Sequence, residues 1–358
     1  MTKQKSFVKS GAMLVCLLML VFSSPRVING QKEQQPKRPG DATDKYVIIE
    51  GDIQVSPSFY QELVTAARLP QSAPIKHPTK LWPNGVVPFE FDANVPPANQ
   101  AEMIDAMAVL EAIANVDFRQ CGNNNCGGNY VHILKSARNS SAVGMKGGEQ
   151  ELNIISWTDR YRILHELLHC LGFFHEQSRP DRDNYVRPIC ENVKGGCDSD
   201  NYKVNFGIKS DATPYGPYDF DSIMHYGQCI YSVNTYCPQV SDQFPDGGIT
   251  LQVREPYNTQ WQDAIGSLSH LSDLDRMNLQ FLYPAPDWRF LDKSYSGGNG
   301  SSNGSFHRPY TGFAQAINNT PEGGTIWLLH SQTIPAVGAY GKQVRVRVAP
   351  GVVATLGG

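Results

Sequence analysis

At 358 residues the chain is too long for one average domain, and its length supports two folded units with flanking segments. Hydrophobic residues make up 41% and charged residues 18%, ordinary for a protein that buries a core. The formal net charge of −3 excludes a basic nucleic-acid binder of the usual kind and gives no support to a membrane-surface role.

From the N-terminus, Lys3, Lys5 and Lys9 precede the apolar run 11–22, which Ser23, Ser24 and Pro25 end. A charged head on an apolar run too short to span a bilayer comfortably predicts a secretory signal over residues 1–30. The protein is then expected to be secreted and extracellular, with no membrane attachment once the signal is removed. Export permits disulfides. Removing Cys16 with the signal leaves seven cysteines, six of them in close pairs: Cys121 with Cys126, Cys190 with Cys197, and Cys229 with Cys237. Six cysteines permit about fifteen pairings, so this one rests on spacing. Cys170 is left over inside an apolar helical run, where a buried free thiol is expected.

Residues 31–45 are polar and contain proline, the composition of a flexible segment. Residues 46–74 carry one apolar stretch and one short helix. A compact domain begins at Leu81-Trp82, where WPNGVVPFEF pairs a turn with a strand. A helix is expected over 97–114, with Pro97 at its start and Met103, Met107 and Leu110 on one face. Strand pieces follow at 130–134 and 151–155, then a helix over 161–171 that Gly172 ends. The domain closes in LSDLDRMNLQFLYP, with a helix before Pro284. Residues 285–305, Gly/Ser/Asn-rich from 294 onward, read as a linker. The remainder, 306–358, has a helix at 311–317 and two strand-like runs, TIWLL and KQVRVRVAP, and makes a short β-rich extension.

The chemistry lies in HELLHCLGFFHEQSRPDRD, residues 165–183. His165 and His169 stand four apart on a helix and project from one face, so both imidazoles reach one ion. Gly172 allows a sharp turn that brings His175 round as a third nitrogen. Three neutral imidazoles suit Zn²⁺ and leave one coordination position open for water, the pattern of a catalytic site. Cys170 follows His169 about 100° around the helix and should point away from the metal. Glu166 adjoins the first ligand, placed to accept a proton from a metal-bound water as general base.

The extended pattern HExxHxxGxxH with a downstream methionine turn is the metzincin signature. Within that group His175-Glu176, Arg179 and Asp181-Arg182-Asp183 resemble the astacin family, as does Ser222-Ile223-Met224-His225-Tyr226. The resemblance implies an α+β catalytic domain over 74–284, with a twisted sheet, a zinc-binding helix and a largely irregular lower half. It implies that Met224 is an apolar floor beneath the zinc, and that Tyr226 is a fifth ligand able to swing away and hydrogen-bond the tetrahedral intermediate. His225 is taken as structural. Gly51-Asp52-Ile53 resembles the family's prosegment motif, so Asp52 is expected to bind zinc in a zymogen whose prosegment spans 31–73, with Ile49 where the family usually has Phe. An activating protease would cut between Arg68 and Ile75, and the new ammonium would be buried against Glu176. Extended protein or peptide substrates would pair with an edge within 141–155.

Two features depart from the family's pattern: Ser141-Ala142-Val143-Gly144 lacks a cysteine, and Gly266-Ser267-Leu268 lacks the cation that selects acidic substrate residues; Arg254 reads either as its substitute or as a solvated surface arginine. The C-terminal run resembles the opening turn of a parallel β-helix. Asn139, Asn299, Asn303 and Asn318 begin N-x-S/T sequons. The function expected is secreted zinc endopeptidase; the competing reading is a zinc-binding inactive protein, or an adhesive or carbohydrate-binding one. A broken ligand triad or a missing Glu166 would have favoured the latter.

Overall fold

The computed structural model describes residues 45–67, 81–122, 126–209, 216–297, 301–334 and 341–357. The signal segment expected over 1–30 and the cleavage region between Arg68 and Ile75 lie outside the described residues, as does Asn299. In chain order, β1 (Val47–Ile49) and β2 (Ile53–Val55) form a hairpin, followed by α1 (Pro57–Ala67). Then come β3 (Val86–Phe91), α2 (Pro97–Ile113), β4 (Asp117–Gln120), β5 (Tyr130–Lys135), β6 (Ser140–Ser141), β7 (Glu149–Ile154) and α3 (Arg160–Cys170). The next part has fewer regular elements: β8 (Val186–Pro188), α4 (Asp200–Asn205), β9 (Leu251–Val253), α5 (Asn258–Trp261) and α6 (Asp273–Leu282). Last are β10 (Trp288–Leu291), α7 (Phe313–Asn319), β11 (Thr325–Leu328), β12 (Gln332–Ile334), β13 (Arg345–Val348) and β14 (Ala354–Leu356).

The main sheet has seven strands in the order β1-β2-β6-β7-β5-β3-β4. β4, β3, β5 and β7 run parallel, while β6 is antiparallel to β7. Val87, Phe89, Val131, Ile133, Leu152 and Ile154 point from these strands into one core, which α2 covers with Met103, Met107 and Leu110. Helix α3 adds Leu164, Leu167 and Leu168 to the same core. Burial of these apolar faces stabilises this part of the fold. Disulfides join Cys121 to Cys126, Cys190 to Cys197 and Cys229 to Cys237. Cys170 is free and buried, and burial pushes its thiol up to about 12, so it is inert packing.

Two expectations change. The edge expected for substrate within 141–155 is taken by the chain itself: β2 pairs parallel to β6 through Ile53↔Ser141, and Ser141 donates its N–H to the Asp52 carbonyl at 2.9 Å. Second, residues 288–291 of the expected linker are a strand. β10 pairs parallel with β11, and β11 with β13, while β12 and β14 form a second parallel pair. The Gly/Ser/Asn composition that signalled a linker starts only after this strand, so four strand residues were absorbed into it. The extension then rests on α6, where Phe281 packs against Phe290, Phe306 and Trp327.

Candidate metal centre

Helix α3 is fixed at both ends. The Asp159 side chain accepts the N–H groups of Tyr161 and Arg162, satisfying donors that have no partner within the helix. At the other end Gly172 has φ 111, a conformation only glycine adopts without strain, and the chain reverses there. The reversal serves two ligands at once. It carries the chain to His175, and it places the Phe173 carbonyl 2.8 Å from Nδ1 of His169.

Each histidine is held by its outer nitrogen. Nδ1 of His165 donates to the Ile223 carbonyl at 2.8 Å, and Nδ1 of His175 donates to the Glu50 carboxylate at 3.0 Å. These contacts set the tautomer that leaves the Nε2 lone pairs facing inward. Nε2 of His165 and His175 are 3.3 Å apart. The Asp52 carboxylate lies 3.2 Å from Nε2 of His165, 3.4 Å from that of His169 and 3.3 Å from that of His175. Donors held about 2.0–2.1 Å from a tetrahedral ion are separated by about 3.3–3.4 Å, which is the spacing found here. Nε2 of His169, Oδ1 of Asp52 and Oε2 of Glu166 are buried without a hydrogen-bond partner. Buried atoms of this kind need a cation or a proton. Three imidazoles with one carboxylate oxygen are a zinc donor set, and their ligand atoms all lie within 4.8 Å of one another. The second cluster of potential ligands, Cys190, Glu191 and Cys197, has its thiols in a disulfide and offers no thiolate.

Around this cluster, burial and then the Asp52 charge hold the Glu166 carboxyl well above the usual range. Glu176 is buried too, which pushes it up to about 7 against the opposing charge of Arg179. Its Oε1 accepts from Nη1 of Arg179 and from the N–H of Asp219, each at 2.9 Å. Met224 is 1% exposed within the core that backs α3. Tyr226 stands beside His175, ring centroids 4.6 Å apart, and its hydroxyl donates to the Glu50 carbonyl. His225 is buried, with its ring nitrogens on the Tyr218 hydroxyl and the Tyr226 carbonyl, a structural placement. Arg254 donates its N–H to the Tyr185 carbonyl, joining the end of β9 to the loop before β8.

Three residues in this site were not picked out from the sequence. Glu50 reaches His175 from 125 positions away. Lys209 pairs with Glu50 at 2.5 Å, both side chains under 10% exposed. Asp275 accepts from the Ser222 hydroxyl at 2.7 Å and the Ile223 N–H at 2.9 Å. Only Glu50 left a trace, as one of two acidic residues, with Asp52, in the run YVIIEGDI.

A HExxH helix, a third histidine beyond a glycine turn and a carboxylate at the remaining position define a metallopeptidase of the zinc type. The family model described as Astacin (Peptidase family M12A) matches residues 74–284, and the chain belongs to that family. It is 31% identical over 214 residues to "Zinc metalloproteinase nas-15" of Caenorhabditis elegans, covering 59% of this chain and 34% of the relative. "Zinc metalloproteinase nas-8" of Steinernema carpocapsae is 30% identical over 285 residues, covering 78% of this chain and 61% of the relative. A solved structure, "High choriolytic enzyme 1 (HCE-1), a hatching enzyme zinc-protease from Oryzias latipes (Medaka fish)", is 27% identical, covering 59% of this chain and 98% of that chain at a TM-score of 0.47. Against its first relatives this chain spans between 20% and 61% of their length.

Proposed function

We propose that the chain is a secreted zinc endopeptidase, made in latent form, that hydrolyses peptide bonds in extracellular proteins with Glu166 as general base. The observation that carries the reading is the convergence of three Nε2 atoms around the Asp52 carboxylate, whose Oδ1 is buried without a hydrogen-bond partner. His165, His169 and His175 would hold the ion, and when bound it would activate a water and polarise the scissile carbonyl.

The chain's own residues do the rest. The acceptors on Nδ1 orient the imidazoles and leave their Nε2 atoms facing the cluster. Glu166 takes the proton from the attacking water and returns it to the leaving amine. Tyr226 is a further ligand when not engaged elsewhere, and donates to the oxyanion of the tetrahedral intermediate when it swings. In the latent chain Asp52 fills the open position and the Tyr226 hydroxyl is held by Glu50, so neither water nor substrate reaches the site. An activating protease cutting between residues 68 and 75 would release the segment. Its partners are protein or peptide substrates and that protease, with no nucleic acid and no membrane contact after export. No described helix is long and apolar enough to cross a membrane.

The test is casein cleavage by the chain cut in that interval, with and without a chelator, beside Glu166→Ala. The expected result is cleavage abolished by chelation, restored by zinc, and at least about 10²-fold slower in Glu166→Ala. A variant as fast as the parent would remove Glu166 from the mechanism.

A further inference from the structure

Asp52 is not the only prosegment carboxylate in the site. Two residues earlier, Glu50 is fully buried, and every polar group it has is engaged by the catalytic body. Its carboxylate accepts from Nδ1 of His175 at 3.0 Å, from the Ser178 hydroxyl at 2.9 Å and from Nζ of Lys209 at 2.5 Å. Its N–H donates to Oδ1 of Asn205 at 2.5 Å, and its carbonyl accepts from the Tyr226 hydroxyl. Glu50 also has φ 50, a left-handed conformation that is unfavourable for a residue with a side chain unless its surroundings impose it. The contacts just named impose it.

The receiving groups belong to three separate parts of the catalytic body. Ser178 follows the third histidine, Asn205 ends α4, and Lys209 is tied to Ser178 by its own N–H, which donates to the Ser178 carbonyl at 2.7 Å. Among the described residues, the ion pair of Lys209 is with Glu50, and the lysine side chain is 7% exposed. A buried ammonium without a counter-charge is strongly unfavourable, so these groups form a niche for a carboxylate.

The niche also answers a question of register. β2 meets the catalytic sheet through a single residue pair, Ile53↔Ser141. One pair specifies register weakly, and a slip of one residue would turn Asp52 away from the histidines. Two carboxylates spaced two residues apart, each with its own receiving cluster, add to the Gln54 side-chain bonds to Ser140 in fixing the register.

We propose that the latent chain is closed at two carboxylate-binding points. The histidine cluster takes Asp52; a niche built by Lys209, Ser178 and His175 takes Glu50 and sets the strand register that brings Asp52 over the histidines. This rests on the reading of residues 45–67 as an inhibitory prosegment. Lys209 and Ser178 are positioning residues: they act on the metal cluster through Glu50.

The experiment uses the full, uncut, zinc-loaded chain and measures the affinity of a peptide hydroxamate, which chelates zinc only where the cluster is open. Wild type, Asp52→Asn, Glu50→Gln, Lys209→Met and the Glu50→Gln/Lys209→Met pair are compared, with thermal melting to confirm folding. The expected result is at least tenfold tighter hydroxamate binding for Glu50→Gln and for Lys209→Met than for wild type. The pair should be no more open than the looser single variant, because both remove one interaction. Should Glu50→Gln fail to fold, Ser178→Ala removes one donor without leaving a charge unpaired and should open the site in the same direction. If Glu50→Gln and Lys209→Met stay as closed as wild type while Asp52→Asn opens, Asp52 closes the site alone and the proposal is wrong. If Asp52→Asn stays closed as well, the prosegment reading fails and takes this proposal with it.

Discussion

The peptide unit of Ile223 connects two parts of the site. Its carbonyl accepts from Nδ1 of His165 at 2.8 Å, and its N–H donates to Oδ2 of Asp275 at 2.9 Å. Asp275 also accepts from the Ser222 hydroxyl and the Ser272 N–H, so one buried carboxylate caps α6 and orients the turn that holds a metal ligand. Asp275→Asn would place an amide N–H against backbone or hydroxyl donors. We expect the change to lower stability by about 1–3 kcal/mol and to weaken zinc binding by about 10-fold. Competition with a chromophoric chelator reads the second effect separately. Stability lost with zinc affinity unchanged would make Asp275 a helix cap and nothing more. The clustering of the three histidines was legible in the sequence because HExxHxxGxxH spans only eleven positions and a helix followed by a glycine turn fixes their geometry. Asp275, Glu50 and Lys209 were not, because each acts across more than fifty positions of sequence. A solitary charged residue carries no mark of its distant partner.

Among the elements, the helices were the easiest to place. α2 was expected over 97–114 and spans Pro97–Ile113; α3 was expected over 161–171 and spans Arg160–Cys170. A proline start and a terminal glycine are local signals, and both helices were bounded within one residue. Strand β10 was missed because WRFL is four residues long and abuts a Gly/Ser/Asn-rich stretch. What makes it a strand is distant: it pairs with β11 and buries Phe290 against Phe281 of α6. Phe281 is 1% exposed and surrounded by Phe290, Phe306 and Trp327, so Phe281→Ala should lower the unfolding free energy by about 3–5 kcal/mol in urea titration. Val353→Ala, at a side chain 72% exposed, should change it by less than about 0.5 kcal/mol. Equal effects would mean that the extension is not anchored on α6. The hairpin β1–β2 was anticipated only as an apolar stretch, since joining another sheet's edge is invisible to local periodicity.

Across the whole molecule, the histidine cluster and the carboxylates that cover it lie on one chain. Residues 165–175 supply the metal cluster, residues 50–52 cover it, and α6 supports the turn beneath it while carrying the extension on its other contacts. An ion that binds only the folded cluster adds stability by mass action, about 2.7 kcal/mol when free zinc is one hundred times its dissociation constant. The central claim is that His165, His169 and His175 together hold one zinc ion, and the most direct measurement is zinc content per chain after dialysis against buffered zinc. The account predicts one ion per full-length chain and a loss to near zero in His175→Ala, with folding checked by circular dichroism. One ion retained in His175→Ala, or none in the wild-type chain, would contradict it.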